Sequence, residues 1–134
     1  MAKIRMEFAR GGVITGTLFE NRAPETCKRV LEALPYTAEA LHAMWAGEEI
    51  FFNGFPAKFD PEKATIDVKP GTLAIVPGSS SFCVFYGRAI PRKAVDETVE
   101  VNVFGQVDDV VAMAEIGRRV RRQGVEKMTI SAVK

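Results

Sequence analysis

The sequence predicts a mainly β chain, a small barrel or sandwich carrying two short helices. Three observations lead there. Runs rich in β-branched and aromatic residues recur along the chain, and Gly-Gly, Pro-Gly and Pro-containing turns separate them. Only two stretches show firm helical spacing, and most of the strand runs lie between them, which argues against a βαβ parallel sheet.

Lys3 to Phe8 reads K-I-R-M-E-F, with Ile4, Met6 and Phe8 on one face of a half-buried strand. Gly11-Gly12 turns the chain into Val13 to Leu18, so the first pair reads as a hairpin. Pro24 and Glu25 suit a first helical turn. Cys27, Val30, Leu31 and Leu34 repeat at helical spacing, giving a helix from Pro24 to Leu34 that Pro35 ends. Thr37 to Trp45 holds good helix formers and a Thr37 cap, yet a hairpin turning at Ala46-Gly47 into E-E-I-F-F fits as well. Asn53 to Pro70 reads as loop with a short strand near Thr65 to Val68. Thr72 to Val76 and Phe82 to Tyr86 are strands on either side of the turn Pro77 to Ser80. Gly87 to Glu97 is irregular, and Val99 to Phe104 alternates cleanly. A helix from about Val107 has Asp108 and Asp109 in its first turn and arginines 118, 119, 121 and 122 at its end, both suiting the helix dipole. Glu126 to Val133 closes as a strand.

At 134 residues the chain is long enough for one core and too short for two ordinary domains, so residues 1–134 read as a single domain. Its net charge of +1 gives no electrostatic case for nucleic acid or an anionic membrane. No apolar run reaches a membrane span, and the alternating start MAKIRMEFARGG has no h-region of a signal peptide. Cys27 and Cys83 read as free buried thiols before a disulfide, in keeping with the cytoplasm. His42 is the only histidine, so no multi-histidine metal site is expected, and no cofactor is implied.

Three segments taken together resemble cyclophilins. VFGQVDDVVAMAEIGRRVRRQGVEKMTI is similar to their C-terminal strand, helix and closing strand. LFENRAPETCKRVLEAL resembles their first helix, and GTLAIVPGSSSFCVFYG falls where they have a strand pair. A closer resemblance is to a small prokaryotic cyclophilin-like family of largely uncharacterised members, carried by WAGEEIFF (45–52), PGTLAIVPGSSSFCVFYG (70–87) and VNVFGQV (101–107). An extra residue separates Trp45 from Gly47, and Thr72 stands where an aspartate is common. The resemblance implies a cyclophilin-like closed eight-stranded barrel. It assigns Ala40 to Trp45 as a strand paired with Glu48 to Phe52.

Cyclophilins isomerise X-Pro bonds, and the family places an arginine in a motif like F-H-R-x-I-x-x-F. The corresponding stretch here, EEIFFNGFPAKF, has no arginine, histidine or glutamine. Lys58 is its one cation, and an ammonium does not copy the planar guanidinium fork. Fold alone does not carry the activity. The expected function is therefore binding of a small molecule or peptide in the side groove, without efficient isomerisation. The alternative is a prolyl isomerase, or another enzyme using Glu48 or Glu49 with Arg88.

The candidate groove residues are Glu48, Glu49, Phe51, Phe82, Phe85, Tyr86 and Arg88. Adjacent strand residues face opposite ways, so only one of Glu48 and Glu49 can face a ligand. Inward phenylalanines of a small barrel are ordinarily core. That reading is the stronger one for Phe51 and Phe85, while core and wall are balanced for Phe82. His42 suits a general base by chemistry and a semi-buried position by context. Ser79 to Ser81 read as a turn before an anion nest, and Cys83 as an inert buried thiol. Phe51, Phe52 and Phe55 offer a surface on which a second copy could pack.

Overall fold

The computed structural model describes residues 1–134. Its strands are β1 (Lys3–Phe8), β2 (Val13–Leu18), β3 (Tyr36–His42), β4 (Gly47–Phe52), β5 (Thr72–Val76), β6 (Ser81–Ala89), β7 (Arg92–Ala94), β8 (Glu97–Thr98), β9 (Asn102–Val107) and β10 (Glu126–Ala132). The helices are α1 (Pro24–Glu32) and α2 (Val110–Gln123). Eight strands close into a barrel in the order β1-β10-β3-β4-β6-β5-β9-β2, and β7 pairs with β8 beside it. Every barrel pairing is antiparallel. Closure leaves no free sheet edge in the barrel. No helix is long and apolar enough to cross a membrane.

Alternation along each strand divides the residues between two environments. Ile4, Met6, Phe8, Ile50, Phe52, Leu73, Ile75, Phe82, Val84 and Phe104 belong to the main core. A second apolar layer of Ala74, Cys83, Phe85 and Val103, on the alternate positions of β5, β6 and β9, is joined by Val101 just before β9 and lies against Phe51 and Val76. The wall formed by β4, β6, β5 and β9 is thus apolar on both faces.

The sequence-predicted boundaries move where tertiary contacts outweigh local preference. The third strand runs from Tyr36 to His42 rather than from Ala40 to Trp45, because β10 pairs along its first half. Residues 43–46 are the turn into β4. Helix α1 ends at Glu32, short of Leu34. Thr65 makes only an isolated bridge to Val101 in place of a short strand. The ninth strand starts at Asn102 and continues through the V-F-G run to Val107. Ala89 ends a long β6, and the segment expected to be irregular contains the β7–β8 hairpin.

Helix α2 begins at Val110, later than expected, so neither aspartate lies in its first turn. Asp109 is its N-cap and accepts from the Ala112 N–H at 3.0 Å. Asp108 instead ties β2 to β1, accepting from the Thr15 and Thr17 hydroxyls at 2.7 Å each and from Lys3 Nζ at 2.8 Å. The Lys3 hydrogen bond first, and then the two hydroxyls, hold its carboxyl down to about 2. Asp109→Ala is expected to cost about 1 kcal/mol in a urea titration, the usual worth of a side-chain cap. A loss under about 0.3 kcal/mol would mean that packing alone sets the start of α2.

Met113, Ile116 and Val120 anchor α2 on the barrel core. Gly117 lies against the Tyr86 ring so closely that a Cβ there would overlap it. Cys27 and Val30 bring α1 onto the same core, and the Cys27 thiol donates to the Phe104 carbonyl at 3.4 Å. Burial pushes that thiol up to about 12. Both cysteines are free and buried, as their spacing suggests.

Candidate functional site

A cavity of about 660 Å³ opens on the outer face of the β4–β6–β5 wall. Its floor is Glu49, Phe51, Cys83 and Phe85, the outward residues of β4 and β6. Register places them as neighbours: Glu49 pairs with Phe85 across the strands, and Phe51 with Cys83. The β3–β4 turn, with Met44 and Trp45, forms one rim. Pro91 and Arg92 from the β7–β8 hairpin and Val120 and Arg121 from α2 contribute others. Asn53, Ser79 and Ser81 make a polar end, where the Ser81 hydroxyl lies 2.6 Å from Ser79 Oγ and 2.5 Å from Asn53 Oδ1.

Glu49 is the chemically unusual group. The residue is only 6% exposed, and no protein N–H or O–H donates to its carboxyl. Burial pushes it from 4.5 up to about 7, and the adjacent Cys83 thiol offsets this only slightly. No cation acts on it. The Cys83 thiol is itself raised well above its ordinary range, first by burial and then by Glu49. It therefore stays protonated beside the carboxyl, with its Sγ 3.8 Å from the Ser81 carbonyl.

The candidate groove residues part into two groups. Glu49, Phe51 and Phe85 line the cavity. Phe51 and Phe85 both lie on the outer layer, because β4 and β6 turn them away from the barrel axis: Phe85, fully buried, is core of the second apolar cluster, and the partly exposed Phe51 packs against it. Phe82 faces inward, stacked on Phe52 with ring centroids 5.3 Å apart, so it forms no groove wall. Tyr86 also points inward, packed on α2. Glu48 lies on the opposite face from Glu49, with its Oε1 accepting the Arg88 backbone N–H at 2.9 Å. Arg88 is exposed and does not line the cavity, so no Glu49–Arg88 pair forms.

Sequence reasoning weighed His42, which is half-buried as its context suggests, but missed the rest of the rim. His42 lines the cavity, and its Nε2 lies 2.7 Å from the Tyr86 hydroxyl while its Nδ1 lies 2.8 Å from the Ala43 carbonyl. A carbonyl only accepts, so Nδ1 carries a proton, and in the neutral ring Nε2 accepts from the Tyr86 hydroxyl. Trp45, Arg92 and Arg121 are brought in by loops and α2, and no local motif marks them. Phe51, Phe52 and Phe55 do not make one exposed surface for a second copy, because Phe52 and Phe55 are buried. No three His, Cys, Asp or Glu side chains gather as a metal site.

A closed antiparallel barrel with two helices and this outer groove defines the class: the chain is a cyclophilin-like barrel. Residues 8–132 match the family DUF3830, described as a protein of unknown function, and the chain belongs to it. No functionally curated protein matches the chain.

Among solved structures, McbB in complex with tryptophan aligns over 96% of this chain at 19% identity and a TM-score of 0.80. This chain spans only 44% of McbB's length. The hypothetical protein AF2241 from Archaeoglobus fulgidus aligns over 97% of this chain and 93% of its own, at 23% identity and a TM-score of 0.68. A cyclophilin-type peptidyl-prolyl cis-trans isomerase of Cryptosporidium parvum, solved in the presence of the dipeptide Ala-Pro, aligns over 84% of each chain at 16% identity and a TM-score of 0.56.

Proposed function

We propose that the outer groove binds a small, largely apolar molecule and that the protein does not turn over prolyl peptides efficiently. The observation that carries this reading is the cavity itself: about 660 Å³, walled by Phe51, Phe85, Trp45 and valines, with one buried carboxyl in its floor. That size falls within the roughly 300–1,000 Å³ of ordinary small-molecule sites, which are mostly apolar with few placed polar groups. Against isomerisation stands the chemistry of β4 and the loop after it, E-E-I-F-F-N-G-F-P-A-K-F, which offers no guanidinium. McbB was solved with tryptophan, which makes an indole ring a sensible first probe.

Amide-resolved NMR titration with indole is expected to give saturable shifts confined to β4, β6, the β7–β8 hairpin and the end of α2. Several X-Pro peptides mixed with the protein are expected to relax at the uncatalysed rate, over tens to hundreds of seconds. Shifts scattered over the surface without saturation would defeat the groove reading. Faster relaxation would restore the isomerase.

A second reading, acid–base catalysis at Glu49, is favoured by its place, a buried carboxyl in the cavity floor that burial raises to about 7, where a group both takes and returns a proton at physiological pH.

A further inference from the structure

We propose that the groove selects ligands carrying a protonated amine, with the Glu49 carboxylate as counter-ion and the Phe51 and Phe85 rings beside it. The proposal rests on the groove reading above and names the ligand class for that site.

The argument begins with what Glu49 lacks. A buried carboxylate in a folded protein is ordinarily paired or hydrogen-bonded, because losing water without compensation is costly. The molecule has such a pair elsewhere: Glu126, fully buried in its side chain, is held by Arg10 and Arg119. Glu49 has no counterpart to those arginines. Its only adjacent donor is the Cys83 thiol on β6. Its uncompensated side faces the cavity, so a partner for the charge has to arrive there.

The other charged and titratable groups of the cavity sit on its rim. They are His42 on β3, Arg92 and Lys93 on β7, and Arg121 on α2. His42 is engaged by Tyr86 and the Ala43 carbonyl. Lys93 lies 3.6 Å from Glu97, and Arg92 donates to the Trp45 carbonyl at 3.4 Å. Arg92, Lys93 and Arg121 are exposed, and none of them acts on Glu49. Water at the exposed rim screens their repulsion of an entering cation, while Glu49 lies buried in the floor.

The aromatic floor favours the same ligand. Phe85 lies directly across the strands from Glu49, and Phe51 is the next outward residue on β4. The partly exposed Phe51 ring attracts an ammonium group and does nothing for a carboxylate, while the fully buried Phe85 backs the floor. A ligand carboxylate would instead meet Glu49 as a like charge. A neutral ring fills the cavity and leaves the Glu49 charge unpaired.

The test compares three probes that share one ring: tryptamine, indole and indole-3-acetate. Binding is measured by calorimetry at about pH 6 and about pH 8.5, on either side of the Glu49 transition near 7. At the higher pH tryptamine is expected to bind about tenfold tighter than indole, and indole-3-acetate most weakly. At the lower pH, where Glu49 is mostly protonated and the probe amine still charged, the tryptamine preference is expected to shrink several-fold. In Glu49→Gln the ratio of tryptamine to indole affinity is expected to fall to near one at both pH values.

Indole binding without a tryptamine preference would overturn the amine assignment and leave the groove reading standing. So would a preference that persists in Glu49→Gln. If none of the three probes binds at millimolar concentration, the groove reading fails and the amine assignment with it.

Discussion

At pH 8 Glu49→Gln is expected to raise the stability of the fold by about 3 kcal/mol, with almost no change at pH 4. The sign follows from where the proton sits. Glu49 moves from 4.5 in an exposed setting up to about 7 in the fold. Between those values the unfolded chain has lost the proton and the folded chain keeps it, so stability falls as pH rises through that window. Above about 7 both states are ionised and the full penalty remains. Below 4.5 both are protonated and there is none. Glutamine keeps the shape and never ionises, so it escapes the penalty. Urea midpoints of parent and variant across this range check the prediction. Parallel curves, with no widening of the gap between pH 4.5 and 7, would mean that water reaches the Glu49 carboxyl and that the site is not dry. A residue that lowers stability at neutral pH fits a functional site better than a packing position, since stability is commonly given up where chemistry or binding needs a strained group.

Glu126→Ala is expected to have the opposite sign, destabilising by about 3 kcal/mol at neutral pH. Its carboxylate accepts from the Arg10 backbone N–H at 2.8 Å, from Arg119 Nη2 at 2.6 Å and from Arg119 Nε at 3.0 Å. Arg10 also donates to the carbonyls of Gly124 and Val125, and Arg119 to that of Gly11. The cluster therefore ties the β1–β2 turn to the corner between α2 and β10. Removing the anion takes the counter-charge from two guanidiniums, which keep only their carbonyl acceptors, and leaves the Arg10 backbone N–H without its acceptor. The loss falls at the low end for a broken buried pair because Arg10 and Arg119 keep some contact with water, 33% and 21% exposed in their side chains. Glu126→Gln, which keeps an acceptor oxygen without the charge, is expected to lie between. A loss below about 1 kcal/mol would class the cluster with surface ion pairs. Gly124 and Val125 line the groove, so the alanine variant is also expected to weaken indole binding.

These two carboxylates differ in a way no sequence pattern records. Glu126 begins an alternating strand and Glu49 sits in an E-E-I-F-F run, and both look like edge charges. Their fates depend on what the fold brings near them. Arg10, 116 positions away, and Arg119, seven away across the corner between α2 and β10, supply the hydrogen bonds of Glu126, whereas the strands around Glu49 supply a thiol. Local sequence contains neither fact.

Much of the barrel could be read directly. K-I-R-M-E-F alternates because β1 has one face in the core and one in water, and its burial follows that pattern residue by residue. The same holds for much of β2 and β10. Both helices were legible by spacing, the first also by Pro24 and Glu25, whereas Asp109 proved to be the cap of the second rather than part of its first turn. The order of segments around V-F-G, G-T-L-A-I-V and W-A-G-E-E-I-F-F carried the cyclophilin-like resemblance.

The groove was harder to read for a single reason. F-C-V-F-Y on β6 and T-L-A-I-V on β5 are buried on both faces, so they do not alternate in polarity, and period-two reasoning has nothing to grip. One step of register turns Phe82, Val84 and Tyr86 outward in place of Cys83 and Phe85, and Glu48 in place of Glu49. The irregularity between Gly47 and Glu49 in the β4–β6 ladder further hides the phase.

The sequence by itself determined a mainly β chain with two helices, free buried thiols and a β4 region lacking the isomerase arginine. These are consequences of neighbours along the chain and of residue chemistry. Tertiary structure alone decided that Glu49 faces the cavity and Glu48 does not, that Phe82 is core and Phe85 is floor, and that β7 and α2 complete the rim. Burial and pairing between distant strands set those outcomes, because solvation of a side chain depends on what surrounds it in space.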